Sequence, residues 1–194
     1  MHRNFASVIL LTLAGGCIFP HYAKGVVFEK EHIAVTIVAP LQIEVRGEYF
    51  FISGDGDTGF STLFYPFPLD SSSLYPCSIR VTSTGETDSI SFTKDDRGIL
   101  FPVNAYPEDT TEILVVYRQQ VKKRRGTYIL TTTGAWGRPL HNSTYSICVP
   151  QALTLNYMSY ESDSVFVKGN NVVYSFFRSR FMPDRDLFFT WSVK

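Results

Sequence analysis

Apolar and polar side chains alternate along most of this chain, and a period of two leaves room for little except strands. In QIEVRGEYFFI (42–52), Ile43, Val45, Tyr49 and Phe51 alternate with Glu44, Arg46 and Glu48. That is the mark of a strand with one buried face. The pattern returns in EILVVYRQQ (112–120), with Ile113, Val115 and Tyr117 on one side, and in LFFTWSV (187–193), with Leu187, Phe189, Trp191 and Val193. Shorter candidates occupy 33–38, 77–82, 89–92, 99–103, 127–132, 145–149, 164–167 and 172–177. Thr84-Gly85-Glu86, Asp95-Asp96-Arg97-Gly98 and Gly169-Asn170-Asn171 supply turns between them. No window carries a helical stripe. About ten short strands predict an all-β domain built as an antiparallel β-sandwich, with a barrel as the second choice.

Two hairpins follow from local spacing. The strands ending at Gln120 and starting at Thr127 flank VKKRRG (121–126), which reads as a charged tip that discourages edge aggregation. The functional alternative is contact with acidic lipid or polymer. In DSVFVKGNNVVYSFF (163–177), Gly169-Asn170-Asn171 can supply the positive φ angles of a tight turn.

The first residues suggest where the chain works. Arg3 precedes an uncharged run from Phe5 to Ala14, as in a secretory signal peptide too short to span a bilayer. LAGGC (13–17) resembles the lipobox of bacterial lipoproteins, which implies acylation of Cys17; ordinary cleavage near Ala23-Lys24-Gly25 is the alternative. The expected organisation is a signal segment at 1–17, a short tether at 18–25 and one sandwich domain at 26–194. The expected location is extracytoplasmic, in the periplasm, on the outer surface or secreted. Membrane contact is then expected only through the lipid. Lys plus Arg and Asp plus Glu number 18 each, so no electrostatic case exists for a nucleic-acid partner. In an oxidising compartment Cys77 and Cys148 are the disulfide candidate. Against it, Cys77 shares a face with Ile79 and Val81, whereas Cys148 lies opposite Tyr145, Ile147 and Val149.

Chemical sites are sparse. GDGDTGF (54–60) has acidic residues between glycines, but position 5 counted from Asp55 is Gly59 and position 12 is Pro66. A helix–loop–helix calcium site needs oxygen ligands there, so the segment reads as a loop between strands. FSTLFYPFPLD (60–70) crowds aromatics around Pro66 and Pro68, which exclude a central strand and favour an extended edge or covering loop. Its aromatics can plug the open end of the sandwich. Alternatively Tyr65 and Phe67, with Tyr75, form an exposed platform for a sugar ring or partner protein. His32 and His141 lack ligand neighbours at helical or strand spacing, and Ser61 lacks the second glycine of a nucleophile elbow. Asp184 and Asp186 are paired carboxylates with Arg185 between them, which favours a salt-bridged turn over glycoside hydrolysis. No catalytic constellation, metal set or cofactor motif is expected.

The segments FYPFPL (64–69), AWGRPL (135–140) and FMPDRDL (181–187), in that order and spacing, resemble uncharacterised secreted bacterial β-sandwich proteins. The resemblance covers about 26–194 and implies the sandwich fold without assigning an activity or functional residues. The expectation is an exported envelope protein with a non-catalytic binding or structural role, its partner an envelope protein or glycan. A carbohydrate-binding module using exposed aromatics is the second reading, and a sandwich-fold enzyme acting on envelope polymers is the third.

Overall fold

Val26–Ala39 (β1) and Gln42–Ser53 (β2) form a long antiparallel pair around Pro40 and Leu41 in the computed structural model, which describes residues 25–83 and 89–194. The expected leader with Cys17, the expected tether up to Lys24 and the expected turn at Thr84-Gly85-Glu86 lie outside the described residues. The chain continues through Gly59–Pro66 (β3), Ser78–Ser83 (β4), Thr93–Asp95 (β5), Gly98–Ala105 (β6), Thr110–Gln120 (β7) and Arg125–Tyr128 (β8). A 3-10 turn at Thr131–Trp136 leads into Leu140–Pro150 (β9), Leu153–Met158 (β10), Ser164–Lys168 (β11), Asn171–Phe181 (β12) and Leu187–Val193 (β13).

One large sheet has the order β11-β12-β9-β1-β2-β7-β4, and two small ones have the orders β10-β13-β8 and β3-β6-β5. The inward residues of the large sheet, among them Val35, Val45, Val115 and Ile147, share one buried cluster with Phe101 and Val103 from one small sheet and Leu187 and Phe189 from the other. The small sheets therefore form the opposing layer of a sandwich. Each sheet ends in edge strands and none closes into a barrel among the described residues. The alternation that buries one face of the long strands is the physical cause of this layering.

Partnering departs from the sequence expectation in two places. β9 runs parallel to β1, with Ile33 opposite Tyr145, so the large sheet is mixed. β7 and β8 do not form a hairpin, because β7 pairs with β2 and β4 while β8 pairs with β13 in the other layer. The basic run between them is a crossing between layers. Val121 at its start is buried in the core, and Gly126 at its end lets the Phe189 ring press onto the backbone. For Phe60–Pro66 the extended edge is the expectation that holds and the covering loop is not: the segment lies in strand β3, pairing with β6 at the edge of its sheet. An edge tolerates Pro66, because a strand with a neighbour on one side only has a side that needs no ladder N–H. The β11–β12 hairpin forms as its spacing predicts, with Lys168 opposite Asn171.

Candidate functional site

Position 31 places a carboxyl on the buried face of β1. Glu31 has the parity of Ile33, Val35 and Ile37, so strand geometry turns it inward, and it is only 3% exposed. Across the sheet it stands opposite Tyr49 of β2 and Ser143 of β9. Tyr145 of β9 donates its hydroxyl proton to Glu31 Oε1 at 2.5 Å. No Lys, Arg or His among the described residues pairs with this carboxyl. Burial disfavours the charged form and pushes Glu31 up to about 7, against the opposing pull of the Tyr145 hydrogen bond.

The Tyr49 hydroxyl lies 2.6 Å from that of Tyr128 and 2.8 Å from that of Tyr65. Tyr128 ends β8 and Tyr65 sits near the end of β3. These are edge strands of the two small sheets, so the hydroxyl cluster marks the seam where the opposing layer is divided. Two hydrogen bonds use two of the three O–H donors, which leaves one proton to offer elsewhere. Burial, reinforced by the neighbouring acidic groups, keeps all three phenols well above their ordinary range and neutral.

A cavity of about 80 Å³ opens along this seam, lined by Glu31, Tyr49, Tyr65 and Tyr128 at a polar pole and by Phe28, Phe51, Leu63, Phe101 and Trp136 on apolar walls. A water needs on the order of 10–15 Å³ of such space, so several waters or a small organic group fit. Phe28, Phe51 and Trp136 pack mutually, with ring centres 5.3 to 6.0 Å apart. The half-buried Phe64, Pro66, Ile129 and Thr132 form the outer edge.

Local devices hold the lining. Gly47 leaves room for the Tyr49 ring to lie back over its own strand, where a Cβ would collide with the phenol. Asp186 Oδ1 accepts hydrogen bonds from the Leu130 and Thr131 amides and from the Thr131 hydroxyl, at 2.8 to 3.0 Å. This pins the start of the 3-10 turn that carries Thr133 and Trp136. Gly137 ends the turn at φ +66°, a left-handed angle that glycine adopts without strain.

No protein-family model matches the chain, and no curated protein sequence does. Solved structures do. A Legionella pneumophila protein whose name proposes a nutrient-binding role superposes with a TM-score of 0.67 at 12% identity, over 89% of this chain and 68% of that one. The M1 zinc metallopeptidase of Deinococcus radiodurans superposes with a TM-score of 0.54 at 8% identity, over 86% of this chain and 42% of the enzyme. A form of that enzyme bound to a Tyr-Ser-Ala substrate gives 0.55 at 9% identity. The chain thus spans less than half the length of the peptidase. Likeness at such identity shows a shared fold. Zinc belongs to the peptidase; among the described residues here, no three His, Cys, Asp or Glu side chains converge on a metal position.

The residues singled out by sequence fall as follows. Tyr65 joins the interior cluster, edge-on to Tyr49 and Phe67. Phe67 is 3% exposed and packs on Tyr117, so it offers no platform. Tyr75 is half-buried against Phe67 and donates its hydroxyl to the Gly98 carbonyl at 2.8 Å. The aromatic platform is therefore corrected to a plug whose inner end lines the cavity. Cys77 and Cys148 are both free thiols. Cys148 lies on one rung with Thr36, Glu44, Arg118 and Ser78, four strand spacings from the residue after Cys77. At about 4.8 Å per spacing the gap is roughly 19 Å, against the ~7 Å limit for a disulfide. Separation across the sheet forbids the bond, whatever the facing of the two side chains. Asp55 and Asp57 lie in an exposed turn, where the Ser53 hydroxyl donates to the Asp57 carbonyl. Asp184 meets Arg185 at 3.7 Å on the surface, while Asp186 is committed to the 130s segment. His32 and His141 stand beside Glu48 and Glu29.

Glu31 and Tyr128 were missed. The signal for Glu31 was its parity with Ile33, one turn of the pattern before the strand was expected to begin. Tyr128 had no such signal, because its role depends on which sheet β8 joins.

Proposed function

We propose that this protein is an exported, non-catalytic binding protein that holds a small amphipathic molecule in the seam cavity. The observation that carries the reading is the cavity itself. A fully enclosed carboxyl and three linked phenols face a pocket otherwise walled by aromatic rings. Buried polar groups are tolerated when hydrogen-bonded and costly when not, so a polar pole inside an apolar core suits an occupant with one polar end. The nutrient-binding role proposed by the Legionella protein's name agrees with this. Phe67 is buried and Tyr65 and Tyr75 are half-buried with their hydroxyls hydrogen-bonded, which weakens the carbohydrate-module alternative.

Thermal melting and Trp136 fluorescence in the presence of small alcohols, amines and acids test the binding half. At least one class should raise the melting midpoint of the wild type, and Thr133→Phe, which fills the cavity, should abolish that rise. If no probe has any effect and Thr133→Phe simply melts higher, the space is a packing defect and the reading is wrong. The export half rests on Arg3, the apolar run and LAGGC (13–17). Cys17→Ser should move the protein from membranes to the soluble fraction; a wild-type protein already soluble after export would leave simple secretion.

A further inference from the structure

Resting on that reading, we propose that the cavity selects a small organic cation, a protonated primary amine, with the Glu31 carboxylate as its counter-ion and the Phe28, Phe51 and Trp136 rings as its walls. Among the cavity's lining residues Glu31 is the one with an ionisable charge at neutral pH. The groups that face it come from four strands: Tyr49 of β2, Tyr65 of β3, Tyr128 of β8, and Tyr145 with Ser143 of β9. All are neutral hydroxyls, and Ser143 Oγ has no hydrogen-bond partner. The site therefore carries negative charge or none. A carboxylate ligand would meet no cation there and would stand beside another acid. A neutral ligand would leave Glu31 to take up a proton. An ammonium group alone gives the carboxylate a charged partner, and an unpaired buried charge is what such a site most disfavours.

The walls favour the same class. Ring faces attract a cation through their negative quadrupole within about 6 Å, most strongly for Trp. The Trp136 ring centre lies 5.6 Å from that of Phe28 and 6.0 Å from that of Phe51. The spare phenol proton can be donated to a second polar atom on the ligand. Tyr145 already occupies Oε1 of Glu31 and fixes the carboxyl orientation. Its hydroxyl is a positioning group.

Since the amine needs an ionised partner, and burial raises the Glu31 carboxyl to about 7, affinity should rise with pH. Between about pH 6 and pH 8 the ionised fraction grows about tenfold. Nuclear magnetic resonance titrations followed at the Trp136 indole N–H would compare propylammonium, 1-propanol and propionate. At about pH 8 propylammonium should bind at least tenfold more tightly than the other two, and about tenfold more weakly at about pH 6. Glu31→Gln should erase the preference for the amine. Should that variant fail to fold, Tyr145→Phe serves instead: losing its hydrogen bond should move the midpoint of amine binding to higher pH. Binding of 1-propanol equal to or tighter than propylammonium, or amine affinity independent of pH, overturns the cation assignment and leaves the cavity reading standing. Silence from all three probes, with Thr133→Phe melting higher than the wild type, overturns both.

Discussion

Glu31 makes folding stability depend on pH in an unusual direction. Its carboxyl ionises near 4.5 when the chain is unfolded and near 7 when folded. Between those values the folded state holds a proton that the unfolded state has released, so stability is full below about 4.5 and falls as pH rises to about 7. Above that both states are ionised and the loss is complete, on the order of 3 kcal/mol. Urea melts at about pH 5 and pH 8 should show this loss in the wild type and a much smaller one in Glu31→Gln; equal slopes in the two proteins would refute it. Gly47 is the second residue on which the site turns. Gly47→Ala must displace the Tyr49 ring and break both phenol contacts, an overpacking and hydrogen-bond penalty of about 2–3 kcal/mol by chemical melt. An interior strand glycine followed two positions later by an inward tyrosine was readable in the sequence. The clustering of Tyr65, Tyr49 and Tyr128 was not, since hydroxyls separated by 79 positions at most meet only through tertiary pairing.

Strand existence was legible wherever alternation ran long, as in β2, β7 and β13, because burying one face of a strand imposes that pattern. Partner choice was not, because alternation specifies a face and is silent about a neighbour. Hence VKKRRG (121–126) looked like a hairpin tip although its flanking strands join different layers. β10 went unseen because Asn156 and Tyr157 break its period at a bulge opposite β13. The elements also differ in what they contribute. β9 is buried along one face between β1 and β12, whereas β11 is an edge strand exposed on both faces. Ile147→Ala on β9 should cost roughly 3 kcal/mol. Val167→Thr on β11, at 64% exposure, should change stability by no more than about 0.5 kcal/mol. Comparable losses at the two sites would show that β11 is covered in solution.

At the scale of the molecule, one core joins three sheets, and this governs how the chain should unfold. The buried cluster runs from Val149 and Phe176 of the large sheet to Val103 of one small sheet and Trp191 of the other. Neither small sheet has an apolar face independent of the large one. β1 also needs β9, more than 100 positions away, since Lys30 pairs with Asn142. Loss of either small sheet would bare the part of the large sheet's inner face that it covers, so partial unfolding gains little chain entropy for a large apolar exposure. Residues 26–194 should therefore melt as one cooperative unit. Far-ultraviolet circular dichroism, which follows all the strands, and tryptophan fluorescence, which follows Trp136 at the seam and Trp191 in β13, should give coincident urea transitions. Reductant should leave both midpoints unchanged, because Cys77 and Cys148 are roughly 19 Å apart across the sheet and carry no cross-link. Two separate transitions would mean that the divided layer comes apart along the seam before the large sheet does. The cavity would then lie at a boundary between folding units and not within one.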